Sequence, residues 1–571
     1  MPADLPRLLP SPPPPVHLPP PSLPLVASHF SYVSHIVGHE GEGSLLSLLK
    51  SHGWAEELMA GETQSHSDFA TFVVTVTLTE KGNGHVDEIV PLVFSCLAMI
   101  RAAPPARWVF DEIGGLSRMR LRFLDTIEPA QAVLHLSREV RQVNQPRHAL
   151  VSSFLYDEWA PDEITALLEQ LTPHRMIIHH IAPLHVACAS QRERWYGTAY
   201  SDEPLSAALL AACTAPPKIA ALRWPAPNVF VPTQFDLICD GQPEVGAKVA
   251  KVKAAAGKAS TGKATAGKAG GGTAPAAGSD AAATLAAALA SRGELLPPTL
   301  LQDESLVEVW HKIDRTFRRP KTNLNLDVVA PAAYASAGAA ILSGILFRML
   351  SDELTEFAYP AECAGLTYMA KRHSTGFYIT AEGHSHKLPL LLTRVLERIA
   401  SPTLEAERFA VQHEQELKSV RSWLRAQPRE HARYASAHLL DGGRWHVLEY
   451  LDFLADDAAC TRDGLLELHA ALRSRIRVTA LCHGNTDSAS AVKMVAEAAK
   501  ALGGQPLALE QLPDPRCLML PDGVDVVLRS HRSFQRPEHA QWLNVDETNC
   551  AVEVTLQGEM DSRPASQIVE L

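Results

Sequence analysis

Hydrophobic periodicity predicts a first set of helices and strands in the N-terminal half of the chain. Phe69–Leu78 (FATFVVTVTL) is rich in β-branched and aromatic residues and partly alternates, which predicts a strand. Ser44–His52 has helical spacing and stops before Gly53, and the charge-free run Ile89–Ile100 predicts another helix. Thr79–Gly82 predicts the turn between the strand and that helix.

The C-terminal half repeats this alternation of helices and strands. Helical spacing and period-two alternation predict three helices and two strands, which are Leu342–Phe357, Leu388–Ile399, Leu404–Leu424, Gly376–Glu382 and Ile476–Leu481. Val524–Leu528 and Cys550–Leu556 predict two further strands near the end of the chain.

Val328–Phe347 carries no charge over twenty residues, a length that could cross a bilayer. Pro331, the many small residues and the strand-like sequence before it favour a buried strand end followed by a core helix. No membrane association is therefore expected.

Two stretches lack the apolar pattern of a folded core. Residues 1–28 are Pro-rich and are expected to be disordered, because the prolines favour extended, solvated chain. Residues 241–297 are rich in Ala, Gly and Lys, with six lysines and no acid between Glu244 and Asp280. Such a stretch buries too little apolar surface to offset chain entropy, so it is expected to be a flexible linker. A basic arm that binds polyanions is the less favoured alternative.

Composition narrows the class of protein further. The 571 residues are 46% hydrophobic, which is ample for packed cores, and the net charge of −12 argues against a specific nucleic-acid partner. Nine cysteines, none of them in a C-x-x-C pair, indicate reduced thiols in an intracellular protein. The prolines at the N-terminus interrupt any apolar run, so a secretory signal is not expected. A cytoplasmic location is the first expectation and an organelle is the alternative.

Several segments together resemble one peptidase family. Ser34–Trp54 (SHIVGHEGEGSLLSLLKSHGW) closely resembles the strand–turn–helix that opens the second domain of insulysin- and nardilysin-like M16 zinc metallopeptidases. Family-like landmarks follow in the family's order, and they include Arg107–Phe110 (RWVF), Trp195–Tyr200 (WYGTAY), Pro320–Leu326 (PKTNLNL), Phe357–Tyr368 (FAYPAECAGLTY) and His483–Asn485 (HGN). The resemblance spans most of residues 29–240 and 305–571.

The resemblance implies an α+β fold built from repeated M16-type (LuxS/MPP-like) domains, each a β-sheet packed by helices on one face. It implies a domain-2-like region at 29–240, a domain-3-like region at 298–504 and part of a domain-4-like region at 505–571. In the family the zinc-binding domain comes before these. The expectation is therefore two complete domains and part of a third, without the catalytic domain.

No zinc motif is present in the sequence. Zinc hydrolysis needs three protein ligands, an open position for water and a nearby carboxylate base. The motif H-x-x-E-H fails at Glu430-His431 and Glu538-His539, where glutamine takes the place of the first histidine. The motif H-E-x-x-H fails at His39-Glu40 and His413-Glu414. The prediction is therefore no catalytic residue and no cofactor in this chain, with zinc confined to the complete family enzyme.

Nucleotide and serine-hydrolase chemistry also lack support. Gly257–Ala264 approaches a phosphate-binding loop, but it ends in alanine and follows no strand. Neither G-x-G-x-x-G nor G-x-S-x-G occurs in the chain.

By resemblance, the candidate site is a peptide-binding exosite that holds the substrate's N-terminus at a strand edge. The residues assigned to it are His35, Gly38, His39, Glu40 and Gly41, followed by Leu58, Met59 and Gly61. A metal site at His35 and His39 is a less favoured alternative, because no third ligand is evident. A purely structural turn remains a second alternative.

Three functions stay open on the sequence alone. The first is an M16 family member involved in peptide degradation that is inactive alone. The second is a non-catalytic peptide-binding subunit that pairs with a zinc-bearing M16 chain. The third is an interaction scaffold that uses the Pro-rich and Lys-rich segments. The expected partners are peptides or small unfolded polypeptides, a zinc-bearing chain, or a second copy of this chain.

Overall fold

The computed structural model describes residues 25–65, 70–124, 127–142, 149–151, 154, 156, 158–238, 297–441, 443–512, 518 and 547–556. The predictions for residues 1–24 of the Pro-rich segment, for nearly all of the Lys-rich linker and for Val524–Leu528 lie outside the described residues. The disorder expected for residues 25–28 is wrong, because these residues begin the first helix. We call residues 25–238 the first unit and residues 297–512 the second unit.

The first unit consists mainly of helices around one β-hairpin. Its helices are α1 Leu25–Val37, α2 Leu45–Ser51, α3 Val86–Arg101, α4 Arg107–Arg122, α5 Pro129–Gln142, α6 Pro161–Gln170 and α7 Ala207–Thr214. Its strands are β1 Ala55–Ser65, β2 Ala70–Leu78, β3 Gln191–Arg192 and β4 Ala199–Tyr200. The long strands β1 and β2 pair antiparallel, and so do the short strands β3 and β4.

The predicted helices and strand of the first unit are confirmed as α2, α3 and β2. Helix α2 is capped by the Ser44 hydroxyl, which accepts a hydrogen bond from the Ser47 amide at 3.1 Å. The helix ends before Gly53, whose φ of +69° lies in the left-handed region that glycine adopts without strain.

The strand expected at the start of Ser34–Trp54 is wrong, because Ser34–Val37 form the last turn of helix α1. The apolar residues Phe30, Val33 and Val37 follow helical spacing and are all buried. The helix stops at Val37, just before a glycine. The helical pattern of the residues preceding this segment therefore decides its local structure.

The second unit holds the larger sheet. Its strands are β5 Thr299–Asp303, β6 Val307–Ile313, β7 Lys321–Val329, β8 Thr367–His373, β9 Gly376–His384, β10 Arg475–Gly484 and β11 Gln505–Pro506. Its helices are α8 Ala337–Cys363, α9 Leu388–Ala400, α10 Ala406–Trp423, α11 Pro428–Leu440, α12 Val447–Ala455, α13 Arg462–Leu472 and α14 Ser488–Leu502.

These strands form a seven-stranded sheet in the order β5-β6-β10-β7-β9-β8, with β11 added beside β10. Strand β7 runs antiparallel to both of its neighbours, β9 and β10. Its side chains alternate between exposed and buried, and Leu324, Leu326 and Val328 enter the core beneath the helices. One face of the sheet is therefore covered by helices and the other is open, which confirms the predicted α+β class.

The predictions for the second unit are confirmed for all three helices and both strands. Val328–Phe347 is the end of β7 followed by the start of α8, as its small residues and Pro331 indicated. Among the described residues, no helix combines the length and the apolar character needed to cross a bilayer.

The strand predicted at Cys550–Leu556 is wrong. These residues have no regular secondary structure, and Val552, Val554 and Leu556 are 89%, 74% and 89% exposed. Their alternating sequence has no strand partner within the described part of the chain, and a strand needs a neighbour to satisfy its amides and carbonyls.

The two units share an interface. Helix α4 and a loop of the first unit contribute Leu116, Met119 and Phe230 to the core of the second. A buried lysine of α2, Lys50, forms an ion pair with Asp352 of α8 at 2.9 Å. The first unit therefore packs against helix α8, close to the segment assigned to the exosite.

Candidate functional site

The candidate site begins where helix α1 ends. The Gly38 amide donates to the Ser34 carbonyl at 2.8 Å, which closes the last turn of the helix. A Cβ atom on Gly38 would lie 2.9 Å from that carbonyl oxygen and 3.5 Å from the backbone nitrogen of Ala60 in β1. Glycine therefore allows the turn after α1 to lie directly against the backbone of β1.

Two histidines lie here, the half-buried His35 in the last turn of α1 and the buried His39 in the turn that follows it. Burial, together with neighbouring His35, lowers the pKa of His39 to about 4, and burial also lowers the pKa of His35. The Nδ1 atom of His39 accepts a hydrogen bond from the Gly41 amide at 3.0 Å, and its ring meets Tyr359 edge-on at 4.8 Å between centroids. His39 therefore fixes the shape of the turn and joins it to α8.

Glu40 follows His39 in the turn and lies near charged groups of α2, α8 and β1. Burial raises the pKa of its carboxyl group, nearby Lys50 opposes that shift, and the carboxylates of Glu362 and Glu57 add to it. Lys50 is already paired with Asp352. Within the described residues, Glu40 has no ion-pair partner within 4 Å. Its carboxylate is therefore available to an incoming cation.

The strand residues assigned to the site lie side by side on β1. Leu58 is buried in the hydrophobic core of the first unit, which we call the first core, whereas the side chain of Met59 is 70% exposed. A Cβ atom on Gly61 would lie 3.5 Å from the Ser34 hydroxyl, so α1 packs closely here too. Within the described part of the chain β1 pairs only with β2, so its other edge faces no strand.

Helix α8 of the second unit completes this surface, and the sequence interpretation missed its role. Burial raises the pKa of Tyr359, Glu362 and Cys363. All three lie in the landmark Phe357–Tyr368, which was identified as family-like but given no function. The missing signal was spatial, because only the folded chain places this helix beside Glu40.

A second glutamate links the site to both units. Glu112 of α4 lies 3.9 Å from the Nε2 atom of His35, and burial raises the pKa of its carboxyl group. Its other oxygen accepts a hydrogen bond from the Asn228 amide at 2.8 Å, and the Asn228 side chain donates to the Pro360 carbonyl. The turn, α4 and α8 are therefore held together by polar contacts.

A metal site at His35 and His39, the less favoured alternative, gains no third ligand from the described residues. The centroids of the His35 and His39 rings are 6.1 Å apart, and the Nδ1 atom of His39 is occupied by the Gly41 amide. No group of three or more His, Cys, Asp or Glu side chains that could hold a metal ion occurs among the residues that the structure describes. What the site offers instead is a strand edge, a carboxylate and a packed turn.

Two models of peptidase domains match this chain. The family model "Middle or third domain of peptidase_M16" matches residues 121–254 and 286–453, and "Peptidase M16 inactive domain" matches residues 18–113. The first match alone covers more than half of the chain.

Curated relatives and a solved structure agree. Human insulin-degrading enzyme is 27% identical over 545 residues, which are 95% of this chain and 47% of that protein. The peroxisomal insulin-degrading enzyme-like 1 of Arabidopsis thaliana is 29% identical over 464 residues, covering 81% of this chain and 42% of that protein. The chain thus spans about half the length of the curated relatives it matches. The pitrilysin crystal structure shares the fold with a TM-score of 0.61, at 19% identity over 87% of this chain and 46% of that one.

Proposed function

Because the chain belongs to the M16 peptidase family, we propose that it is a peptide-binding component of an insulin-degrading-enzyme-like peptidase. In this proposal the chain holds an extended peptide along the outer edge of β1 and contributes no zinc chemistry of its own. The observation that carries the proposal is the half-buried Glu40 carboxylate, which has no ion-pair partner among the described residues and lies near Glu57 of β1, a strand whose outer edge faces no described strand.

Peptide binding at this edge follows the chemistry of strand addition. The free edge of β1 offers backbone amides and carbonyls that an extended peptide can pair with, largely independently of its sequence. The exposed Met59 side chain adds an apolar contact at the same edge. Affinity for many unrelated peptides follows from main-chain pairing.

Glu40 determines which end of the peptide binds at this position. An ammonium group at the peptide's N-terminus would neutralise the Glu40 carboxylate, whose charge is made unfavourable by burial and, to a smaller extent, by Glu362 and Glu57. The charge-assisted hydrogen bond is strong because the carboxylate is half-buried. This arrangement favours peptides that present a free N-terminus.

Hydrolysis must use residues that this sequence does not contain. Residues 1–571 include neither H-x-x-E-H nor H-E-x-x-H. In the proposal, a zinc-bearing domain supplies the activated water, and the present chain binds and orients the peptide. The chain measured by itself should bind peptides without cutting them.

The test is peptide binding to the full chain, measured by fluorescence anisotropy with one dye-labelled peptide in free and N-acetylated forms. Glu40→Gln should weaken binding of the free form about 10- to 100-fold, equivalent to the loss of one charge-assisted hydrogen bond. The acetylated form should bind weakly to both proteins, so that the two losses do not add.

The matched control is Glu42→Gln. Glu42 lies two residues away, but its side chain is exposed and forms an ion pair with Arg223. This variant should bind like the wild type. Equal losses from both variants, or no preference for the free N-terminus, would refute the role given to Glu40.

A further inference from the structure

The second unit shows how its sheet is assembled along the chain. From strand β7 onwards, the chain forms helix α8, the hairpin of β8 and β9, several helices and then β10. In the sheet, β7 lies between β9 and β10 and pairs with both. Strand β7 thus joins the hairpin of β8 and β9 to strand β10.

The first unit follows the same order from its first helix onwards. Helix α1 is followed by the hairpin of β1 and β2, by helices α3 to α6 and then by the extended segment 176–182. In that segment Met176 and Ile178 pack against the first core, whereas Ile177 and Ile181 are 69% and 94% exposed. This alternation is that of a strand, yet the segment has no strand partner among the described residues.

Among the residues that the structure describes, no counterpart of β7 lies between these two elements. Among the described residues β2 pairs only with β1, so its other edge faces no strand. In the second unit, Thr322 at the start of β7 bonds to Ser385 after β9 and to Thr486 after β10. In the first unit the His180 ring and the Asn83 side chain, which follows β2, form a hydrogen bond at 2.6 Å, a contact that an inserted strand would have to displace.

The sequence before α1 does not have the character of the missing strand. A strand with neighbours on both sides needs amide donors on both edges, and proline has none. Residues 1–24 contain eleven prolines and no Pro-free run longer than three residues. Strand β7, by contrast, is nine residues long, has no proline and alternates as KTNLNLDVV.

We propose that the first unit accepts a β-strand between β2 and the segment 176–182. The occupant is an extended, Pro-free polypeptide segment with alternating apolar side chains, like β7, that is not among residues 1–571. It would run antiparallel to β2, as β7 runs antiparallel to β9, and would bury one row of apolar side chains on the first core. This slot is separate from the outer edge of β1, where Glu40 lies.

The test supplies such a strand to the full chain and measures backbone hydrogen exchange. The nine residues of β7 are fused ahead of Met1, and residues 1–24 serve as a tether that raises the effective concentration of the strand. Exchange of the β2 amides that do not pair with β1, and of alternate amides in 176–182, should slow at least tenfold. The matched control carries proline at both leucines of the fused strand and should show no slowing.

Three results would overturn the proposal. The first is equal exchange with and without the fused strand, and the second is equal slowing with the proline control. The third is slow exchange of both edges in the unfused chain, because the strand would then come from within residues 1–571. If that protection grows with protein concentration, a second copy supplies the strand.

The same fused chain separates this proposal from peptide binding at β1. Glu40→Gln in the fused chain should leave the slowed exchange unchanged, because Glu40 lies at the other edge of the hairpin. If this variant loses peptide binding in the anisotropy measurement but keeps the slowed hydrogen exchange, both assignments are supported. Loss of protection in this variant would show that the two edges are not independent sites.

Discussion

The two units differ most in the number of strands that pair with β7 in the second unit and with β2 in the first. In the second unit β7 has a strand on each side, and Leu324, Leu326 and Val328 are at most 1% exposed. In the first unit β2 has a described strand on one side only, and Phe72, Val74 and Val76 are partly buried. A two-stranded hairpin is marginal by itself, so the first unit depends on contacts from outside its own sheet.

This difference assigns the two units different tasks. In the proposed function, the sheet of the second unit is the base of the site, and its helix α8 brings Tyr359 and Glu362 to the turn. The first unit keeps open strand edges, which are where another strand or peptide can pair. The predictions below test this division, from the largest expected effect to the smallest.

The largest effect should come from the ion pair that joins the units. Asp352→Ala would leave the buried ammonium of Lys50 without its carboxylate and would also release Arg408, which bonds to the same aspartate at 2.8 Å. Removing one partner of a buried pair costs about 3–5 kcal/mol. Urea unfolding should show this loss, with hydrogen exchange faster in α2 than in the sheet of the second unit.

The control is the exposed pair between Lys418 and Glu80, which also joins the two units. Lys418→Ala should leave the unfolding transition unchanged within error, because exposed pairs are screened by water and salt. If both variants destabilise the chain equally, burial is not what makes the Lys50 contact important.

Matched leucine truncations should separate the two sheets. Leu326 on β7 and Leu58 on β1 are both nearly fully buried, at 0% and 2% exposure. Leu326→Ala should cost towards the upper end of about 2–5 kcal/mol, because strands on both sides keep the cavity from collapsing. Leu58→Ala should fall near the lower end, because the open hairpin can relax. Equal losses in urea unfolding would contradict the comparison.

Backbone strain provides a smaller test at the turn. Gly43 has a φ of +82°, and a Cβ atom there would lie 2.4 Å from Cγ of Arg223. Gly43→Ala should therefore destabilise the first unit by about 1–3 kcal/mol. Gly84→Ala is the control, since a Cβ atom at Gly84 meets nothing within 4 Å. A thermal unfolding midpoint that stays unchanged in Gly43→Ala would show that the turn readily rearranges.

The smallest effect should be the pH response of the turn. His39 has a folded-state pKa of about 4, below the ordinary value of 6.5, so it stabilises the fold above pH 6.5. That contribution is lost as the pH falls from about 6.5 towards 4, and at pH 5 the loss is on the order of 1–2 kcal/mol. His39→Gln should remove this part of the pH dependence.

Comparing the variant with the wild type isolates the histidine. The raised pKa values of Glu40, Glu112 and Glu362 act in the opposite sense, since these carboxyl groups stabilise the fold when protonated, but they are present in both proteins. His52→Gln, at an exposed position, serves as the control. Parallel pH profiles for the wild type and His39→Gln would contradict the assignment.

The sequence predicted local structure well wherever the apolar pattern was strong. Helices α2, α3 and α9 and strands β2, β9 and β10 follow from spacing and from caps such as Ser44. It failed at Ser34–Val37, where the family resemblance implied a strand but the residues form the last turn of helix α1. It also failed at Cys550–Leu556, whose alternation predicts a strand but which has no described partner.

The site was predictable only in part. Resemblance assigned His35, Gly38, His39, Glu40 and Gly41 to one site, and the structure places His35 at the end of α1 and Gly38, in the turn that follows, against the backbone of β1. The contribution of α8 could not be read from local pattern, because Tyr359 and Glu362 reach the turn only through packing between the units. Their role in peptide binding stays a prediction.

The most direct measurement follows binding and cleavage of one quenched fluorescent peptide on the same sample of the full chain. It is made with added zinc and again with a chelator. The account predicts saturable binding that requires Glu40, with no increase of fluorescence from cleavage under either condition. Chelator-sensitive turnover would contradict it, because the chain would then contain a zinc site that neither its motifs nor its described side chains provide.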